Sequence, residues 1–179
     1  GLDVTLTVDG AGQLGEVATL AGMQGVDLSA LGLDNVELSL NLEDQAQLNA
    51  VLGGSLDASL ASLSNEGLNF SGTIDMATSE AVSISDAQAG GLVLDGLNFA
   101  SDDQVELNAE GTHLSSSLKD LQKLGVDAVG LAGDGTSLQL ALGGGDAMEL
   151  GAGGVLPTFD QGLDVTLTVD GAGQLGEVA

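Results

Sequence analysis

The first eighteen residues, GLDVTLTVDGAGQLGEVA, return without a difference as Gly162–Ala179, an offset of 161 residues. Identity over that length does not arise by chance, and self-similarity at a fixed period decides architecture before any single residue does. Residues 1–161 therefore read as one complete repeat unit, and 162–179 as the start of the next. Two origins fit: a tandem array, or a segment duplicated to complete a fold. On either origin, successive units follow one another covalently along the chain.

The repeated segment opens with a clean alternation. Leu2, Val4, Leu6 and Val8 share one face, and Asp3, Thr5 and Thr7 share the other, which is the pattern of a half-buried strand ended by Asp9 and Gly10. Leu14, Val17, Ala18 and Ala21 then recur at helical spacing. Further on, a turn at Asp34 and Asn35 before Val36–Leu40 predicts a hairpin, and so do Val129–Leu131 and Leu138–Leu142 either side of Gly133–Gly135. Residues 43–52 predict a short helix, Ser55 a cap for another through Leu56, Leu60 and Leu63, and residues 91–94 an extended segment. Leu114, Leu118, Leu121 and Leu124 predict a helix over 112–124 closed by Gly125. The phrases at Leu20–Asp27 and Leu121–Asp127 echo one another, each before an expected hairpin. The fold expected is α+β: an antiparallel, β-rich body with two to four short helices, built from diverged helix-then-hairpin modules.

Charge narrows the function. There are 27 acidic residues against two basic ones, a net charge of −25. Phosphate neutralisation needs Lys and Arg, so nucleic-acid binding is excluded as an expectation. Docking on an anionic membrane is disfavoured for the same reason. No apolar run reaches the 18 residues or so needed to span a bilayer, so membrane insertion is not expected. With 43% hydrophobic residues but three Phe and no Trp or Tyr, the core must be aliphatic. Cys is absent, which removes disulfides and thiolate metal sites.

Chemistry-bearing constellations are sparse. Asp102, Asp103 and Asp134 lie in expected turns and are the candidate ligands for Ca2+, which takes several carboxylate and carbonyl oxygens. Neither an EF-hand loop nor an intact glycine-rich nonapeptide accompanies them, and Asp in turns also caps backbone amides without any metal. His113 is the single His and has no Cys or second His to complete a zinc site or nucleophilic pair. Lys119 and Lys123 stand four apart, off the leucine stripe, where they balance local acidic charge. Nothing singles out a catalytic carboxylate pair, so no enzymatic activity is expected.

The long identical repeat, the acidic Gly-, Asp-, Leu- and Val-rich text, and the absence of Cys and Arg resemble the giant repetitive secreted surface proteins of bacteria, of the adhesin and RTX-adhesin type. That resemblance implies an extracellular or cell-surface location, within a biofilm matrix for example. It also implies a structural role as stalk, extender or fibre subunit. Partners are then neighbouring repeats of the same protein, with self-assembly into fibres as a further form. The inter-repeat junction falls on Leu2, Val4, Leu6 and Val8 and on their copies Leu163, Val165, Leu167 and Val169. The alternative is a calcium-responsive secreted ligand-binding module.

Overall fold

The structure is a computed structural model that describes residues 4–21, 30, 32–56, 68–132, 135–141 and 156–168. These divide into two compact units, Gly1–Thr78 with Leu94–Ala100, and Ser79–Val93 with Ser101–Ala179.

In the first unit, β1 (Val4–Asp9), β2 (Leu33–Leu42), β3 (Asn69–Met76) and β5 (Leu97–Phe99) form one sheet in that order. All three pairings are parallel. Register carries apolar residues into line: Leu6 faces Val36, Val8 faces Leu38, and Leu40 faces Ile74. Val8, Val36, Leu38, Leu40 and Ile74 are all buried, while Thr5, Thr7, Glu37, Ser71 and Thr73 between them face solvent. The sheet thus buries one face, and the period-two alternation of each strand records that face. Where β3 crosses between β2 and β5, Gly72 is required by space, since a Cβ there would lie 2.6 Å from the Leu38 carbonyl oxygen and 2.8 Å from Leu97 Cδ2.

Between these strands run α1 (Ala11–Ala21) and α2 (Gln45–Ala50), the latter continuing into a π-helical turn at Val51–Ser55. Asp44 has extended backbone at the start of α2, and its carboxylate accepts from the Gln47 N–H at 2.9 Å. Gln47 Oε1 accepts in return from the Glu43 N–H at 2.9 Å. Leu48 and Leu56 are buried.

In the second unit, β4 (Val82–Ser85), β6 (Val105–Ala109), β7 (Ala128–Leu131) and β9 (Thr158–Phe159) form one parallel sheet in that order. A second sheet pairs β8 (Ser137–Ala141) with β10 (Asp164–Thr168), and His113 adds a parallel bridge to Gln139 on the other side of β8. The chain therefore winds: β6 then the His113 bridge, β7 then β8, β9 then β10, each round laying a strand on the first sheet and a bridge or strand on the second. Parallel pairing demands such a return path, because consecutive parallel strands cannot be joined by a tight turn. Helix α4 (Leu118–Leu124) makes one return, and α3 (Asp86–Leu94) lies between β4 and β5. Asp86, at the start of α3, fixes the turn before α4: its carboxylate accepts from the Ser115 N–H at 2.9 Å and from Ser115 Oγ at 2.7 Å.

This overturns the expected antiparallel fold. Val129–Leu131 and Leu138–Leu142 do not form a hairpin; β7 and β8 sit in different sheets, each with parallel partners. Asp34 is not a turn residue but the extra residue of a bulge in β2, where the register steps from Val4–Leu33 to Thr5–Asn35. The helix-then-hairpin modules fail with the hairpins. Alternation reports which face a strand buries and is silent about the direction of its neighbour. Parallel sheets covered on both faces read as continuous apolar runs, so alternating strands pointed to hairpins. A winding chain buries only one face of a parallel sheet, and it produces the same alternation.

Two helix boundaries also differ. Residues 91–94 belong to α3 rather than to a strand. The helix expected over 112–124 begins only at Leu118, because residues 112–114 are held extended by hydrogen bonds from the Leu114 N–H to the Gln139 carbonyl and from the Gln139 N–H to the Thr112 carbonyl. Gly125 does close it, in the left-handed region at φ +86°. Lys119 is buried at 4% exposure, whereas Lys123 is exposed. Ser55 does not cap a new helix, since it belongs to the π-helical turn that runs on into Leu56; the expected continuation through Leu60 and Leu63 lies outside the described residues.

Candidate functional site: the repeated strand

Both copies of the repeated segment form strands. The first is β1, and the second is β10, whose residues Asp164–Thr168 repeat Asp3–Thr7. Each stands at the end of its sheet, β1 beside β2 and β10 beside β8. Each is parallel to its partner. Local sequence explains why the segment is extended in both places: Val, Leu and Thr alternate, and β-branched side chains suit the pleated surface.

Entry and exit are also set locally. Ahead of β10 the Leu163 N–H donates to the Asp160 carbonyl at 3.1 Å, closing a tight turn with Gly162 at φ +92° in its third position. At the far end of β1, Gly10 also takes φ +92°, and the Asp9 N–H is accepted by Gln13 Oε1 at 3.0 Å.

The hydrogen bonds reveal which backbone edge each copy uses. The Gly10 N–H donates to the Ser39 carbonyl at 2.8 Å, so Leu6, Val8 and Gly10 direct their backbone groups toward β2. The Asp164 N–H donates to the Thr136 carbonyl at 2.7 Å, so Asp164, Thr166 and Thr168 direct theirs toward β8. In the first copy these correspond to Asp3, Thr5 and Thr7. The two copies of one segment therefore pair through opposite edges. Among the described residues, the Val165 and Leu167 edge of β10 carries no strand, nor does the Thr5 and Thr7 edge of β1.

Side chains agree with the backbone. Leu6 and Val8 stand beside Val36 and Leu38; Val165 and Leu167 stand beside Leu138 and Leu140. All four of those neighbours are buried, and Val8 is too. Val165 and Leu167 are only half-buried, as expected of an edge strand with one flank uncovered. Leu163 is half-buried in the turn, Leu6 is half-buried, Val4 lies in β1, and Leu2 and Val169 lie outside the described residues.

The candidate calcium ligands are not gathered. Asp103 is buried at 7% exposure and Asp102 beside it faces solvent, while Asp134 lies outside the described residues. Among the described residues, no group of three or more His, Asp or Glu side chains could hold a metal ion. His113 is exposed, its ring nitrogen Nδ1 3.0 Å from Thr112 Oγ1. No helix among the described residues is long and apolar enough to cross a membrane.

Sequence reasoning read the repeated segment as a strand but missed the strands it pairs with, β2 and β8. The signal was present in the matching alternation of Val36, Leu38, Leu40 and of Leu138, Leu140. Comparison with protein-family models, with curated proteins and with solved structures finds no match to this chain.

Proposed function

We propose that this chain is a structural tandem-repeat unit of a large secreted cell-surface or extracellular-matrix protein, a stalk or extender whose units are coupled through the repeated strand. One observation carries the reading. The segment pairs with β8 through one backbone edge and with β2 through the other, so a single strand can satisfy both at once. In an array, the strand that opens a unit would close the preceding unit's sheet on β8 and begin its own on β2. A parallel ladder would then run through the junction with its apolar residues in register on both sides. Each unit would contact only its neighbours, as in solenoid repeats. The acidic composition without Cys supports an extracellular setting, and the repeated text supports a neighbour of the same kind.

The test is a chain carrying two consecutive units. If units couple, it melts in one transition several degrees above the single unit, since about 1 kcal/mol shifts the midpoint by roughly 2–4 °C at this size. A two-unit melting curve that superimposes on the one-unit curve would sink the coupling.

A further inference from the structure

The outward edge of β10 is a strand edge whose complement is already known. Val165 and Leu167 direct their N–H and C=O groups away from β8, and the same residues in the first copy, Val4 and Leu6, belong to the strand paired with β2. We propose that this edge docks β2 of a second copy of this chain, which releases its own β1 to receive it, so that separate molecules join head to tail by strand exchange. The proposal rests on reading β10 as the coupling strand, and it extends that reading from covalently joined units to free ones.

Sequence identity makes the exchange balanced. In the swapped arrangement Thr166, Leu167 and Thr168 take the places of Thr5, Leu6 and Thr7 opposite Asn35, Val36 and Glu37. The backbone hydrogen bonds that Leu6 makes with β2 are replaced by their equivalents at Leu167. The β10 strand keeps β8 throughout, because that pairing uses its other edge. What is gained is a sheet continuous across the junction and cover for half-buried Val165 and Leu167. What opposes it is the exposure of the released β1, whose Val8 is buried while β1 is paired with β2, together with the lost freedom of association and the repulsion between two chains of charge −25 each. Assembly is therefore weak, grows with concentration and is promoted by salt. One donor strand and one acceptor strand per chain make the contact heterologous, which gives closed rings or open chains according to the rotation between successive molecules. The β10 edge also lacks the Lys or Pro with which exposed edges are commonly blocked.

Two experiments on the whole chain test this. The first is sedimentation velocity over a concentration series at low and high salt, with Leu167→Pro beside the parent chain. Proline at 167 removes an N–H that points outward and leaves the Asp164, Thr166 and Thr168 donors to β8 in place. The parent should shift to heavier species as concentration and salt rise, while Leu167→Pro stays monomeric. The second uses the absence of native Cys. The pair Glu37→Cys with Thr168→Cys should form disulfides between chains, because the exchanged register sets these residues side by side within bridging distance. The pair Asn41→Cys with Thr168→Cys, four residues out of register, should cross-link far less.

A parent chain that remains monomeric throughout, Leu167→Pro oligomers equal to the parent's, or equal cross-linking by both cysteine pairs would each overturn the proposal. The cysteine experiment stands even if the proline variant fails to fold. A raised two-unit melting point together with monomeric single units would reject exchange alone and leave covalent coupling intact.

Discussion

Gly72 shows how one residue sets the spacing of three strands. Its position on β3 lies against Leu38 on one side and Leu97 on the other, with no room for a methyl group. The Gly72→Ala variant should lose about 1–3 kcal/mol, the usual cost of overpacking a filled core. Urea unfolding would measure it, and an unchanged midpoint would mean that the strands part freely. Gly130 on β7 differs: the nearest atom to a Cβ there is Oδ2 of the exposed Asp160 side chain, at 2.6 Å, which can swing aside. Neither position was legible as a close approach in the sequence, where 29 glycines look alike. Gly125 was legible, because it directly follows a leucine stripe.

At the scale of elements, the hold of Gln139 on residues 112–114 delays α4, and a cap at Ser117 then fixes where it begins. Ser117 Oγ accepts from the Asp120 N–H at 3.2 Å, and the Asp120 carboxylate accepts from the Ser117 N–H at 3.1 Å and from Ser117 Oγ at 2.6 Å. This reciprocal box satisfies the first turn of a helix only seven residues long. The Ser117→Ala variant should cost about 1 kcal/mol, read as a lower thermal midpoint, and Ser117→Asp should restore most of it. A variant indistinguishable from the parent would show that packing of Leu118, Leu121 and Leu124 suffices. The leucine stripe announced this helix, yet it ran too far toward the N-terminus, because Leu114 is buried from an extended segment instead.

For the whole molecule, self-repulsion is the general burden. With 27 carboxylates and two Lys, screening should stabilise the fold progressively. Raising sodium chloride from about 0.05 M to 1 M shortens the Debye length from roughly 14 Å to 3 Å and should raise the melting temperature smoothly. Calcium at matched ionic strength is expected to add little beyond that, because the described carboxylates are dispersed rather than grouped. A saturable, calcium-specific step would contradict this and restore the ion-responsive module as the better reading.

Sequence by itself determined that strands alternate, that helices fall near Leu14–Ala21, within residues 43–52 and before Gly125, that the core is aliphatic, and that one segment occurs twice. Each of these is a local or compositional property, written in side chains a few residues apart. Tertiary structure alone decided that the sheets are parallel, that β7 and β8 part company, and that the repeated segment offers one edge to β2 and the other to β8. Strand direction and edge use depend on which distant backbone lies alongside, and a period-two pattern holds no record of that.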